Sequence, residues 1–272
     1  MKPASELAPD VALKLRYDAD LAALLPRFRS RFASLTRDAA TDTFLKRAAQ
    51  GRATWWRTQL HRIARQFMSD FDANGLLDMY PLFVASTEQW RALLGEARVA
   101  RLLDVGAGSG IVTQTLVPLA ERVITTELSS RMAARLRSAG LVCHELDLAE
   151  AELPEERFDL ITCLNVLDRT ARPRRLLARL CDSLEPGGRL VVALVLPYRP
   201  FYYRGATTPE PLERLACTDA SWEGAVNRLI EREFEPLGLT LCSVSRAPYL
   251  SFGDAECGLY ELDDALFVLQ KT

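Results

Sequence analysis

The stretch Leu102-Leu103-Asp104-Val105-Gly106-Ala107-Gly108-Ser109-Gly110 decides the fold of this 272-residue chain. An apolar run ends in an acid, and three glycines then alternate with other residues before a helix-like segment. Glycine tolerates positive φ and lets a ligand approach the backbone closely. A loop of this kind at the carboxyl end of a strand is where open α/β sheets bind ligands. We therefore expect a ligand site formed by Asp104, Gly106, Gly108 and Gly110.

The glycine spacing argues against a dinucleotide or phosphate loop. Dinucleotide folds use G-x-G-x-x-G, whereas Ile111 occupies the position of the third glycine here. A phosphate-binding loop also needs Lys followed by Ser or Thr, and neither follows Gly110. The acid before the loop would repel a pyrophosphate but suits a ligand with an amine or sulfonium charge. A dehydrogenase is therefore disfavoured.

From Arg101 onward, short apolar runs alternate with helix-like stretches, which is typical of a parallel sheet with helices on both faces. The predicted strands are 101–105, 123–126, 141–146, 158–164, 190–196, 239–246 and 264–270. The predicted helices are 112–120, 129–139, 173–184 and 221–236.

Two further acids end predicted strands. Glu127 follows the second strand, where a carboxylate can accept both hydroxyls of a ribose. Asp147 follows the third strand and would face an adenine edge. A single acid at a strand end is often structural. The order of three such acids, Asp104, Glu127 and Asp147, followed by Glu-Pro-Gly-Gly at 185–188, resembles class I S-adenosylmethionine-dependent methyltransferases. That resemblance implies S-adenosylmethionine as cofactor and a Rossmann-like, seven-stranded, mostly parallel sheet with helices on both faces.

Longer segments carry a more specific resemblance. Leu-Asn-Val-Leu-Asp-Arg at 164–169 and Tyr-Glu-Leu-Asp-Asp at 260–264, together with 192–198 and 248–250, are similar to the DREV methyltransferases. Animal members of that family methylate protein histidines at Nδ1 and prefer His-x-His with a small middle residue. The resemblance extends from about Leu76 to the C-terminus and is faint before that. Two departures are the serine at position 109, where an acid is typical, and the lack of the animal members' secretory-type segment.

The family resemblance implies roles for particular residues, and each also has a structural interpretation. Cofactor contacts of the family match Asp104, Gly106 and Glu127, and a further one after the fourth strand matches Asn165. An acid that faces the target imidazole matches Asp168. Two tyrosines that line the site match Tyr249 and Tyr260. Alternatively, Asp168 caps the next helix or pairs with Arg169, Asn165 is a turn residue, and both tyrosines are core aromatics.

The chemistry of histidine methylation fits an acid at position 168. Free histidine has a pKa near ~6.5, so most of it is neutral at cytosolic pH and no strong base is needed. The enzyme must choose a nitrogen instead. If Asp168 accepts the Nε2–H of the target, Nδ1 keeps the free lone pair. We expect Asp168, Asn165 and Tyr260 on the catalytic side and Tyr249 among the cofactor contacts. The expected partner is a protein or peptide containing His-x-His.

The charge pattern divides the chain. Residues 1–95 are predicted to form a helical region packed on a methyltransferase domain at 96–272, with helical spacing through Leu21, Leu24, Leu25, Phe28 and Phe32. Ten Lys or Arg face two Asp between Arg27 and Arg65. This is a solvated face or a docking surface for acidic residues, such as those at 254–264. The aromatic stretch 197–205 is either an acceptor wall or a packed loop.

Composition limits the alternatives. The net charge of −2 gives no reason to expect nucleic acid, and no apolar run is long enough to cross a membrane. Six dispersed cysteines and no apolar leader predict a cytoplasmic protein with reduced thiols, and two histidines make a metal site improbable. Two alternative functions stay open: methylation of a small metabolite or peptide natural product, and cofactor binding without catalysis.

Overall fold

The structure is a computed structural model that describes residues 15–50, 59, 81–153, 157–205, 207–217, 219–253 and 257–272. The described helices are α1 (Pro26–Arg29), α2 (Ala39–Gln50), α3 (Thr87–Leu94), α4 (Thr113–Leu116), α5 (Ser130–Ser138), α6 (Pro173–Asp182) and α7 (Trp222–Leu229). The described strands are β1 (Leu82–Phe83), β2 (Val99–Val105), β3 (Ala120–Glu127), β4 (Val142–Glu145), β5 (Phe158–Leu164), β6 (Leu184–Val195), β7 (Leu239–Phe252) and β8 (Leu259–Lys271).

The strands form one sheet in the order β1-β7-β8-β6-β5-β2-β3-β4. Strands β4, β3, β2, β5 and β6 run parallel, and β8 is antiparallel to both β6 and β7. The carboxyl ends of β2, β3 and β5 therefore meet at one edge. This topology confirms the predicted α/β class with a mostly parallel sheet. The prediction of seven strands omits only β1, which pairs with the end of β7.

The sheet is buried on both faces, as a parallel sheet requires. One face carries Leu103, Ile161 and Phe267 in the main core cluster with α6 and α7. The other face carries Leu102, Leu160 and Val268, which pack with the fully buried Trp90 of α3. Because neighbours along a strand point to opposite faces, each of these strands is apolar almost throughout.

The N-terminal residues that the structure describes lie across the antiparallel end of the sheet. Arg31 and Ala33 exchange backbone hydrogen bonds with Val244 of β7. Asn227 of α7 accepts from the Leu25 N–H and donates to the Ala23 carbonyl. Leu24 and Phe28 join the main core cluster. Residues 15–50 therefore contribute side chains to the same core as the sheet.

The helix predicted from the spacing of Leu21 to Phe32 is wrong. Residues 21–24 form a turn, and α1 comprises only the four residues from Pro26 to Arg29. Proline lacks an N–H and is compatible with a helix only in its first turn. The apolar spacing instead reflects residues that reach the core from an irregular segment.

The basic segment pairs with acids other than the C-terminal ones. Arg27 contacts Glu231 and Glu235 in the turns that follow α7, and Arg37 contacts Asp42. On β8, Asp263 pairs with Arg246 of β7. Four further basic residues of this segment lie outside the described residues, at positions 52, 57, 62 and 65. The acids at 254 and 256 also lie outside them.

The packing of residue 24 predicts that the N-terminal segment is part of the cooperative fold. Leu24 is 1% exposed, whereas Leu21, three residues earlier, is 44% exposed. Leu24→Ala should lower the free energy of unfolding by about 2–4 kcal/mol, because it leaves a cavity in the main core. Leu21→Ala is the matched control and should cost less than about 0.5 kcal/mol. Urea unfolding of both variants makes the comparison, and equal losses would contradict it.

Candidate cofactor and acceptor site

The loop between β2 and α4 has the backbone that its glycines allow. Gly106, Gly108 and Gly110 have φ values of +66°, +56° and +81°. A Cβ added at Gly106 would lie 2.7 Å from Cγ2 of Val166, whereas one at Gly108 would have no heavy atom within 4 Å. The loop is therefore packed against the end of β5 at Gly106 and open at Gly108. The open side is where a ligand can approach the backbone.

Asp104 lies beneath this loop rather than in it. The side chain is 3% exposed and accepts hydrogen bonds from the hydroxyls of Thr113 and Thr162, at 2.6 and 2.7 Å. Burial raises the pKa of Asp104 to about 6, although the two hydroxyls oppose that shift. Asp104 thus joins β2 to β5 and to the start of α4. In this structure both of its oxygens accept from side-chain hydroxyls, and its predicted contact with the cofactor stays a prediction.

Glu127 holds the loop from the neighbouring strand. Its Oε2 accepts from the Gly108 N–H at 2.8 Å, and its Oε1 accepts from the N–H groups of Leu128 and Ser129 at 2.9 Å. Ser129 also caps α5, as the sequence predicts, by accepting from the Met132 N–H. The predicted ribose acid is therefore at the open side of the glycine loop. Its carboxylate is oriented by backbone donors on both oxygens.

These residues fit a nucleoside-type cofactor. The open cradle at Gly108, the carboxylate of Glu127 and the 65% exposed side chain of Leu128 lie at one edge of the sheet. Asp147 follows β4 at the same edge, is exposed, and accepts from the Ala149 N–H at the start of a turn. The structure places no group against Asp147 that assigns it to adenine, so that role stays a prediction.

Asn165 adopts an unusual backbone at the end of β5. Its φ is +57°, and it is the one non-glycine residue with positive φ in the described part of the chain. Its N–H donates to the Ala193 carbonyl, and its Nδ2 donates to Oδ2 of Asp264 at 2.8 Å. Asn165 thus lies in the bend after β5 with its side chain buried beside the site, and its predicted contact with the cofactor stays a prediction.

Asp168 and Arg169 follow three and four residues later. Oδ2 of Asp168 lies 3.6 Å from Nε of Arg169. Burial raises the pKa of the Asp168 carboxyl, and the charge of Arg169 opposes the shift. The guanidinium of Arg169 lies 5.5 Å from the ring centre of Phe201 and 6.0 Å from that of Tyr249. The capping interpretation of Asp168 is wrong, because α6 has Arg172 at its N-cap without a side-chain bond.

The buried polar groups of this region are incompletely satisfied. Buried polar atoms in proteins are nearly always hydrogen-bonded, so each exception needs a reason. Several side-chain atoms here have no hydrogen-bond partner among the described residues. They are Oδ1 of Asn165, Oδ1 of Asp168, Nε of Arg169, the hydroxyl of Tyr198 and Oδ1 of Asp264. Their clustering indicates a site completed by a bound group.

The two predicted tyrosines lie on one face of the β7–β8 hairpin. Tyr249 is buried and pairs with Leu262, and Tyr260 is half-buried and pairs with Ser251. Since residues two apart on a strand share a face, Tyr260, Leu262 and Asp264 point the same way. Tyr249 reaches Arg169, whereas no described contact joins Tyr260 to Asp168. The catalytic role of Tyr260 therefore stays a prediction.

Sequence reasoning assigned no role in the site to Arg169 or Asp264. Both stand in the quoted signature segments, at 164–169 and 260–264, and Asp264 was counted among the acids at 254–264 of a possible docking surface, which its burial contradicts. The available signal was a charged residue within an apolar strand, since Asp264 precedes the run Ala265 to Leu269. An acid in such a position is fully buried in this structure.

The sheet order, the glycine loop and the acid that orients it define a class I methyltransferase fold with an S-adenosylmethionine site. The model of the DREV methyltransferase family matches residues 17–271, and the chain belongs to that family. The match begins well before Leu76 and includes the N-terminal segment packed on the core. The cofactor is accordingly S-adenosylmethionine.

Curated relatives match a smaller part of the chain. A ubiquinone biosynthesis O-methyltransferase of Xylella fastidiosa (strain 9a5c) is 30% identical over 103 residues, which are 35% of this chain and 42% of that protein. One from Rhodopseudomonas palustris (strain BisB18) is 31% identical over 98 residues, or 34% and 39% of the two chains. The match therefore spans less than half the length of these relatives.

Solved structures resemble the chain at low identity. The N-methyltransferase NodS from Bradyrhizobium japonicum WM9, in complex with S-adenosyl-L-homocysteine, has a TM-score of 0.45 and 18% identity, covering 68% of this chain and 84% of that one. A putative methyltransferase from Bacillus halodurans C-125 has a TM-score of 0.47 and 14% identity, covering 68% and 96%.

The described residues contain neither a helix suited to cross a membrane nor a cluster of metal ligands. None of the helices in the described ranges has the length and apolar character needed to cross a bilayer. Within the same ranges, His, Cys, Asp and Glu side chains form no group of three or more able to hold a metal ion.

The contacts of Glu127 predict a loss of cofactor affinity on truncation. Glu127→Ala removes the carboxylate that orients the Gly108 N–H and the predicted acceptor for the ribose. Calorimetry with S-adenosylhomocysteine should show affinity lower by about 1.5–3 kcal/mol, the range for hydrogen bonds to a charged group. Glu121→Ala, at the exposed opposite end of β3, is the control and should bind normally. Unchanged affinity in the Glu127 variant would contradict the assignment.

The raised pKa of Asp104 predicts a pH dependence of stability. The pKa of the Asp104 carboxyl is about 6 in the folded protein, against an ordinary value of 3.8. The folded state therefore binds the carboxyl proton more tightly than the unfolded state does. This contribution to stability is fully present below about pH 4 and is lost as the pH rises to about 6. Asp104→Asn cannot ionise. Its free energy of unfolding should therefore gain roughly 2–3 kcal/mol relative to wild type between about pH 4 and 7. Urea unfolding across this range measures the difference, and a flat difference would refute it.

Proposed function

We propose that this methyltransferase modifies histidine side chains at Nδ1, in His-x-His segments of proteins or peptides. When bound, S-adenosylmethionine supplies an electrophilic methyl group on a sulfonium. The observation that carries the proposal is the pair of buried acceptor oxygens without partners, Oδ1 of Asn165 and Oδ1 of Asp168. A neutral imidazole brings one N–H, which one of these oxygens can accept while the lone pair of the other ring nitrogen stays free, and the second oxygen is left for another donor of the peptide.

The acceptor oxygens favour a substrate that donates a hydrogen bond, as a neutral imidazole does through its N–H. Leaving a buried acceptor unpaired costs ~1–3 kcal/mol, and a ligand that donates an N–H recovers it. If Asp168 takes the Nε2–H, Nδ1 is left as the nucleophile, and the carboxylate offsets the positive charge that develops on the ring. A negatively charged acceptor would instead be repelled by Asp168 in its ionised form.

The aromatic stretch 197–205 is suited to be one wall of the acceptor site. The Phe201 N–H donates to the carbonyl of Asp168 at 2.8 Å, so this segment is attached to the residue that the proposal places against the imidazole. Phe201 and Tyr249 both face the guanidinium of Arg169. Aromatic faces beside a fixed cation form a flat surface against which an imidazole can stack.

A small-molecule acceptor is the second candidate. It is favoured by the names of the curated relatives, which are ubiquinone biosynthesis O-methyltransferases. Those matches cover about a third of this chain, whereas the family match covers nearly all of it. The family is therefore the better guide to the acceptor. A cytoplasmic setting, in which free thiols stay reduced, is part of the proposal.

The test is methylation of histidine peptides by wild-type enzyme and Asp168→Asn. Purified protein is incubated with labelled S-adenosylmethionine and Ala-His-Ala-His-Ala, with Ala-Ala-Ala-Ala-Ala as the blank, and the modified nitrogen is assigned by NMR. Wild type should yield Nδ1-methylhistidine. Asp168→Asn should lower kcat/KM by roughly 10²-fold, as removal of single electrostatic stabilisers does, because its amide can present a donor to the Nε2–H.

Two controls make the result specific. Affinity for S-adenosylhomocysteine should barely change in Asp168→Asn, since this residue is assigned to the acceptor side. Asp182→Asn, in an exposed position at the end of α6, should leave the rate unchanged. A wild-type enzyme that ignores histidine peptides but methylates a phenolic metabolite would replace this proposal with the second candidate.

A further inference from the structure

We propose that Asp264 is a positioning residue that orients the Asn165 amide, so that Oδ1 of Asn165 rather than Nδ2 is presented to the acceptor. The proposal rests on the proposed function for the identity of the acceptor, but not for the contact itself. The contact is the 2.8 Å hydrogen bond from Nδ2 of Asn165 to Oδ2 of Asp264, which is buried between β5 and β8.

The orientation of a side-chain amide is decided by its partners. An amide offers two donors at one end and an acceptor oxygen at the other. With Nδ2 directed at Asp264, Oδ1 points the other way and has no hydrogen-bond partner within the described residues. Because Oδ2 of Asp264 accepts from Nδ2, that oxygen carries no proton in this arrangement, and the reverse orientation would place the amide oxygen against it, which is repulsive. Asp264 therefore determines which end of the amide is left for a ligand.

The backbone of Asn165 leaves little other freedom. Its positive φ and the hydrogen bond from its N–H to the Ala193 carbonyl fix where the side chain begins. Only rotation about the side-chain bonds remains, and a rotation of the amide by about 180° exchanges donor for acceptor. Asp264 supplies the one described side-chain contact that distinguishes the two orientations.

Asp264 is itself held firmly. It is 0% exposed and pairs with Val195 of β6 and Ala247 of β7, so β8 is anchored on both sides at this point. Its carbonyl accepts from Trp222 Nε1 at 3.4 Å. A carboxyl in the interior of a sheet is expensive to bury, and an apolar residue of similar size would be cheaper for folding alone. Orienting Asn165 explains why an acid stands here.

The neighbouring residue provides a matched control. Asp263 is on the same strand but on the opposite face, where its two oxygens pair with Arg246. Asp263→Ala makes the same chemical change one residue away and removes a partly buried ion pair with Arg246. It should leave kcat/KM within about twofold of wild type, because residue 263 points to the face opposite the one that carries Asp264.

The decisive experiment is a double-mutant cycle with Asn165→Ala, Asp264→Ala and the double variant. If Asp264 acts through Asn165, Asp264→Ala should lower kcat/KM for the histidine peptide about tenfold or more in the wild-type background. In the Asn165→Ala background the same change should cost less than about twofold. Affinity for S-adenosylhomocysteine should stay within about twofold for Asp264→Ala. Equal losses in both backgrounds, or a parallel loss of cofactor affinity, would assign Asp264 a purely structural role and overturn the inference.

A second measurement does not depend on turnover. The side-chain NH₂ signal of Asn165 is assigned by its absence from Asn165→Asp, and its exchange with solvent is followed by NMR. Exchange should be at least about tenfold faster in Asp264→Ala than in wild type, because the amide loses its buried acceptor. Asp264→Leu removes the acceptor oxygens at similar volume and should also exchange at least about tenfold faster than wild type, so it serves if the alanine variant does not fold. Equal exchange in Asp264→Ala and wild type would overturn the inference even if histidine proved not to be the acceptor.

Discussion

The site depends on the burial of three carboxyl groups at the carboxyl edge of the parallel strands. Asp104, Asp168 and Asp264 are each at most 4% exposed, and burial raises the pKa of all three. Each is stabilised differently: Asp104 by two threonine hydroxyls, Asp168 by the nearby Arg169, and Asp264 by the amide of Asn165. The best-satisfied acid supports the cofactor loop, and the two with an unpartnered oxygen are the ones that the proposed function places on the acceptor side.

The division between cofactor side and acceptor side follows from topology. Short connections after parallel strands bring the glycine loop and Glu127 to one edge, and both come from a single βαβ unit. The proposed acceptor side includes Asn165 and Asp264, which are 99 residues apart in the sequence. They meet because β8 is inserted antiparallel beside β6. The N-terminal segment then closes on β7 and α7, so three distant parts of the chain support one site.

This division also explains what could be predicted from the sequence. Loop glycines, strand-end acids and alternating apolar runs are local signals, and they predicted the glycine loop, the position of Glu127 and most strands within a few residues. The prediction of an N-terminal helix from Leu21 to Phe32 failed, because Leu24 and Phe28 are apolar for tertiary reasons and Pro26 cannot lie inside a helix that begins at residue 21. Asp264 was missed because its partner is 99 residues away, and no periodicity in one strand reveals a partner on another.

The pairing of Asn165 with Asp264 has a consequence for how such a site could change its acceptor. Under the proposed function, the acceptor is chosen by the groups after β5 and on β8 rather than by the cofactor loop and Glu127. An amide held with its oxygen outward accepts from a donor such as an N–H, whereas the same amide reversed would donate to an acceptor such as a phenolate. In this proposal the difference resides in one buried contact, so methyltransferases that share a cofactor loop can differ in acceptor. Similarity confined to about a third of the chain therefore says little about which atom is methylated.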